Sequence, residues 1–255
     1  MPSHPKRVAL GFFAGVRALF GGLAFVVTTP SVWGWAVIPV LVATLLFGGA
    51  GALAIWAGSA LSERLLLGAS AVPGGTWSVI GVWTLRIVFW AIGMVVAFVI
   101  AMSLAQPLSG FALEALARKQ EISLGGRRWP AQPALAGAMR SLRVTLTALA
   151  VGLPILAVLA LITVLFPPAS VVTVPLKFVV TGVLAAYDLL DYPLSLRSQS
   201  VRDRVAFMRS NALAVLGFGV ATAALLLIPG MGLFLLPFGV AGATRMVVLG
   251  QPDRP

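Results

Sequence analysis

Long apolar runs separated by short charged stretches set the plan of this chain, and their spacing is helical. Val32 to Leu61 carries no charge, Thr76 to Ala105 carries only Arg86, Val144 to Tyr187 only Lys177, and Asn211 to Val248 only Arg245. Runs of this length exceed the ~10 residues that a membrane-barrel strand uses, so each predicts membrane helix. The first two read as full transmembrane helices, 32–61 and 76–105. Trp33 and Trp35 stand at one end of the earlier run and Trp56 at the other, roughly 35 Å away at helical rise, which suits two aromatic belts.

The other two runs are broken. Val144 to Tyr187 is interrupted at Pro167-Pro168, and Asn211 to Val248 at Pro229-Gly230. Each arm of the last run has roughly 16 or 17 residues and reaches about 25 Å, short of the about 30 Å of a hydrocarbon core. Helical hairpins are therefore expected at 144–187 and 211–248, either crossing the bilayer or entering and leaving it by the same face. Ahead of everything, 6–27 reads as an interfacial amphipathic helix, with Phe12, Phe13, Val16, Leu19, Phe20 and Leu23 at helical spacing. Arg17 interrupts it and no small-residue cleavage site follows, so it is expected to be retained. A second stripe on this helix, Gly11, Gly15, Ala18 and Gly22, allows another helix to come close.

Composition agrees with the pattern. Apolar residues make up 60% and charged residues 10%, with mean hydropathy +1.03, whereas a soluble domain carries about 25% charged residues. The expected fold class is an all-α integral membrane protein. The net charge of +11 does not point to nucleic acid, because the basic residues sit between apolar runs. Two stretches hold most of them: 106–143, and the loop or helix 188–210. The first is strongly basic while 62–75 is neutral, which places 106–143, 188–210 and both termini in the cytoplasm. Within it, Arg127, Arg128 and Trp129 read as a membrane anchor at the headgroups.

Catalytic chemistry finds few groups to use. There is no cysteine and a single histidine, His4. No HExxH, GxGxxG or GxxxxGK[ST] string occurs, so no metal, cofactor or enzymatic role is expected. Asp188 and Asp191, three apart, form the only tight carboxylate pair. They lack the second aspartate that intramembrane aspartyl proteases need, and are expected to cap helices or pair with Arg197, Arg202 or Arg204. What remains is positive charge at membrane depth, Arg86 and Lys177, together with backbone breaks at Pro167, Pro168, Pro229 and Gly230. These are the elements of a path for an anion. For Arg86 a second reading stays open, a guanidinium snorkelling outward and stacking on Trp83 and Trp90.

Asp191-Tyr192-Pro193, followed by Ile228-Pro229 and by Leu236-Pro237-Phe238-Gly239-Val240-Ala241-Gly242-Ala243-Thr244, resembles the CysZ sulfate-permease family, which shares a domain with etoposide-induced membrane proteins. Gln106-Pro107-Leu108-Ser109-Gly110 through Glu114, and Pro30 with Ile38-Pro39, match in order. The resemblance implies an amphipathic first helix, two long spans and two hemi-penetrating hairpins. It also implies homo-oligomers in the lipid bilayer that pass sulfate across the bacterial inner membrane. One place departs from it. Where the family carries a Gly-Leu-Arg-like anion motif, this chain has Ser31, Val32 and Trp33, and an indole offers one neutral donor in place of a guanidinium. The alternative function is a non-transporting scaffold that binds lipids or partner proteins through the first helix and the Arg127-Arg128-Trp129 anchor.

Overall fold

Helices supply all the regular structure among the described residues, and no strand occurs there. The computed structural model describes residues 10–67, 76–130, 134–197, 199, 201–228 and 230–251. In chain order these form α1 (Phe12–Thr28), a 3₁₀ turn (Pro30–Val32), α2 (Trp33–Leu67), α3 (Thr76–Leu108), α4 (Gly110–Ser123) and α5 (Ala134–Leu165). A second 3₁₀ turn (Pro167–Ala169) leads to α6 (Ser170–Leu196), α7 (Val201–Ser210), α8 (Ala212–Leu226) and α9 (Met231–Gly250). Four stretches are long and apolar enough to cross a membrane: Pro30–Leu65, Val79–Ala105, Leu142–Leu165 and Pro167–Leu196. Only 11–17% of their apolar windows is buried inside the chain. Side chains such as Leu45, Trp56, Val95, Leu153 and Val171 stand exposed, which is stable only against lipid. This is an all-α integral membrane protein.

The chain divides into two compact units, Val40–Leu108 and the remainder. In the first, α2 and α3 run antiparallel. Their seam is built of small residues: Gly93 lies against Ala54, Gly58 against Phe89 and Trp90, and Gly51 against Met94. Phe47 and Phe98 meet edge to face with ring centroids 6.2 Å apart.

In the second unit α1 is seated against α8 and α9. Gly15, Ala18, Leu19, Gly22 and Val26 form its buried face. A Cβ on Gly15 would overlap the carbonyl of Ala214, and one on Gly22 would overlap the backbone of Gly242. The small-residue stripe is thus where the last hairpin grips the first helix, leaving Phe13, Arg17 and Phe20 exposed on another face. Behind α8 lies α6, approached so closely at Gly182 and Gly219 that neither has room for a side chain.

The two hairpins differ in reach. α5 and α6 have 32 and 27 residues, so at about 1.5 Å per residue each exceeds the hydrocarbon thickness. By contrast α8 has only 15, and its turn closes through Gly230 at φ +82°, a left-handed conformation open to glycine. Pro229 lies outside the described residues. α6 also continues through Asp188 and Asp191, which therefore sit on a helix.

Gly182→Val is expected to destabilise the protein by about 1–3 kcal/mol through overpacking against Gly219, read as a lower melting temperature in detergent. Gly49→Ala, where an added Cβ meets nothing within 4 Å, should leave the melting temperature unchanged or slightly raise it.

Candidate functional site

The seam between α5 and α6 carries a line of polar groups. Near the proline turn, Thr163 Oγ1 and Thr173 Oγ1 are 2.7 Å apart, and Lys177 Nζ donates to Thr163 Oγ1 at 3.2 Å. Thr163 and Thr173 are equally far from Pro168, so the turn itself brings them together. Further along, Lys177, Thr181 and Asp188 recur at i, i+4 and i+11, one face of α6. Thr181 and Asp188 line a cavity of about 230 Å³ whose α5 wall is Ala148, Leu149, Gly152, Leu153 and Leu156. Asp188 Oδ1 is buried there and has no hydrogen-bond partner among the described residues. An ammonium with three donors, one of them engaged by Thr163 among the described residues, stands at one end of this track, and a carboxylate at the other.

Several of the other charges are paired within the protein. Arg86 Nη2 donates to Glu63 Oε1 at 2.6 Å and the guanidinium lies 5.2 Å from the Trp83 ring centroid. Trp90 points its indole N–H to Ile55 O and Ser59 Oγ. Arg86 is thus neutralised by Glu63 and stacked on one of the two tryptophans flanking it. Asp191 accepts from Arg204 and from Ser195 Oγ, and Arg204 Nη2 also donates to Ser195 Oγ at 3.0 Å. Arg197 turns elsewhere, to Glu121 Oε1 at 2.8 Å and the carbonyl of Gln251 at 2.9 Å. Trp129 Nε1 donates to the same Glu121 oxygen at 2.8 Å. Gly125, at φ +77°, ends α4 in a way that returns the chain toward Glu121, with Gly126 N–H on the Glu121 carbonyl. Arg127 lies over the Trp129 ring and Arg128 is exposed. The tryptophan of this triplet therefore packs into the protein.

At the start of α2, Pro30 opens the 3₁₀ turn and buries Val32 against Val26, Leu116 and Ala241. Trp33 Nε1 donates to Val26 O at 2.8 Å, so its single donor is spent. Lys119, reaching across from α4, donates to Ser31 O at 2.6 Å.

Comparison with known proteins decides what these elements belong to. Residues 18–237 match the family described as Sulfate transporter CysZ/Etoposide-induced protein 2.4. The chain belongs to this family. Among curated relatives, the sulfate transporter CysZ of Pseudomonas aeruginosa (strain PAO1) is 30% identical over 184 residues, 70% of each chain. That of Pseudomonas paraeruginosa (strain PA7) is 31% identical over the same length and shares.

The strings that carry the CysZ resemblance serve packing. In Leu236 to Thr244, Gly239 receives Leu189 of α6 and Gly242 receives Leu19 of α1, while Thr244 folds its hydroxyl back on Val240 O at 2.8 Å. Asp191-Tyr192-Pro193 is buried in the core against which α1, α8 and α9 pack. Sequence alone did not show that a cation, Lys119, stands beside Ser31. Nor did it show that Glu63 neutralises Arg86. The second had a signal, since Glu63 lies ten residues before Pro73 and Arg86 eleven after Gly75. Eighty-eight residues separate Ser31 from Lys119, with no such symmetry.

Asp191→Ala is expected to cost about 3–5 kcal/mol by leaving the Arg204 charge buried and unpaired. The double variant Asp191→Leu/Arg204→Met should recover most of that loss, as followed by thermal unfolding in detergent.

Proposed function

We propose that this chain passes a small oxyanion, sulfate in the first instance, across the bacterial inner membrane by a channel or permease mechanism without covalent chemistry. The observation that carries the reading is the Lys177-Thr163-Thr173 cluster inside a membrane-crossing hairpin of a CysZ-family protein. Lys177 offers N–H donors to an anion that has shed water, the hydroxyl protons of Thr163 and Thr173 being spent on Leu159 O and on each other, while the apolar walls strengthen each contact. Pro167 and Pro168 at one turn and Gly230 at the other are the backbone breaks that would bound the path, with Pro229 the remaining candidate from the sequence. Lys119 beside Ser31 supplies positive charge at the place where Trp33 supplies none. Arg86, balanced by Glu63, is given a structural part instead. Charge bias in 106–143 and 188–210 supports cytoplasmic termini, and assembly as a homo-oligomer accords with the extensive exposed apolar faces.

Radioactive sulfate uptake into proteoliposomes tests this directly. Flux should exceed that of empty vesicles, and absence of flux under any gradient overturns the reading. Lys177→Ala should lower the rate about tenfold, the worth of one charge-assisted hydrogen bond, with Lys177→Arg retaining part of it. Arg86→Ala should change the rate little. Asp188→Asn, which removes a like charge from the seam, should raise it.

A further inference from the structure

α7 sorts its residues by face. Arg204 and Phe207 are buried, the first paired with Asp191. Arg202, Val205, Ala206 and Arg209, at i, i+3, i+4 and i+7, are all exposed and form one stripe. Together they line a depression of about 400 Å³, with a guanidinium at each end and an apolar floor between. Neither guanidinium has an ion pair or hydrogen bond among the described residues.

The helix is also placed at a boundary. α7 meets α8 at 90°. α8 contains no charged residue and packs against α1, α6 and α9, so it lies within the apolar layer. A helix at right angles to it, at its polar end, runs along the membrane surface.

We propose that the Arg202-Val205-Ala206-Arg209 stripe is a binding site for anionic phospholipid headgroups. Each guanidinium can hold a phosphodiester through paired N–H donors, and the Val205-Ala206 floor covers the glycerol and first acyl carbons. A free oxyanion would use the charges but gain nothing from the apolar floor. The two arginines left exposed on α7 thus have a partner that the membrane itself provides. This site is separate from the α5–α6 seam, and its test does not depend on transport.

The full-length protein is released from vesicles of mixed phosphatidylglycerol and phosphatidylcholine, and retained lipids are weighed by native mass spectrometry. Phosphatidylglycerol should be retained preferentially, and Arg202→Gln/Arg209→Gln should weaken that retention about tenfold while leaving phosphatidylcholine unchanged. Should the α7 variant fail to fold, a photoactivatable phosphatidylglycerol on the parent protein gives the answer, with adducts expected at 202–209. Equal retention by parent and α7 variant, adducts only elsewhere, or displacement of the lipid by an equal concentration of inorganic sulfate overturns the proposal.

Discussion

Helices in lipid have no hydrophobic reason to leave lipid for one another, so this fold depends on how closely their backbones can approach. The second unit answers that constraint at three places. Gly15 and Gly22 let α1 settle against Ala214 and Gly242, and Gly182 meets Gly219 where α6 passes α8. Each contact brings backbone atoms together where a methyl group would separate them, and dispersion gained over many such atoms takes the place of water exclusion. The Phe238 to Thr244 string belongs to this arrangement: its glycines receive Leu189 and Leu19 from two different helices.

Charge is arranged around that apolar frame in two ways. Asp191-Arg204 and Glu121-Arg197 are nearly inaccessible, and such pairs hold geometry more than they add stability, because removing one partner strands the other. They fix α7 to the end of α6, and the C-terminal Gln251 to α4 through Arg197. Lys177, Asp188 and Lys119 are different. Lys177 is satisfied by one hydroxyl, Lys119 by one carbonyl, and one buried oxygen of Asp188 has no partner. Groups with spare hydrogen-bonding capacity are the ones that can exchange a protein contact for a ligand.

Much of this was legible in the chain because the relevant physics is local. Uninterrupted apolar length specifies a span, Pro-Pro and Pro-Gly specify where a helix turns, and Gly15-Ala18-Gly22 specifies a close-packing face. The Asn211 to Val248 arms read as short, and α8 is short. The first hairpin read as its equal, whereas its helices continue into both flanking polar segments, from Ala134 and to Leu196. Polar residues there do not end a helix when they have buried partners. Asp191 and Ser195 continue α6 because Arg204 satisfies them; the sequence put Arg204 among the partners expected for Asp191, but not that the pair would let α6 run on. Internal partners also hid the roles of Arg86 and Trp129, each of which carries the composition of a membrane-facing group and the contacts of an internal one.

The start of α2 shows how packing between helices places a charge. The indole N–H of Trp33 is occupied by Val26 O and is not free for another acceptor. Yet the same ring holds the end of α1 against the first turn of α2, and buried Val32 fixes that turn on Leu116 of α4. Leu116 and Lys119 are three apart on one face of α4. The packing that seats Leu116 on Val32 therefore also delivers Lys119 to Ser31. Positive charge at this corner is supplied from across the fold, by an ammonium on a flexible stem that holds a backbone carbonyl.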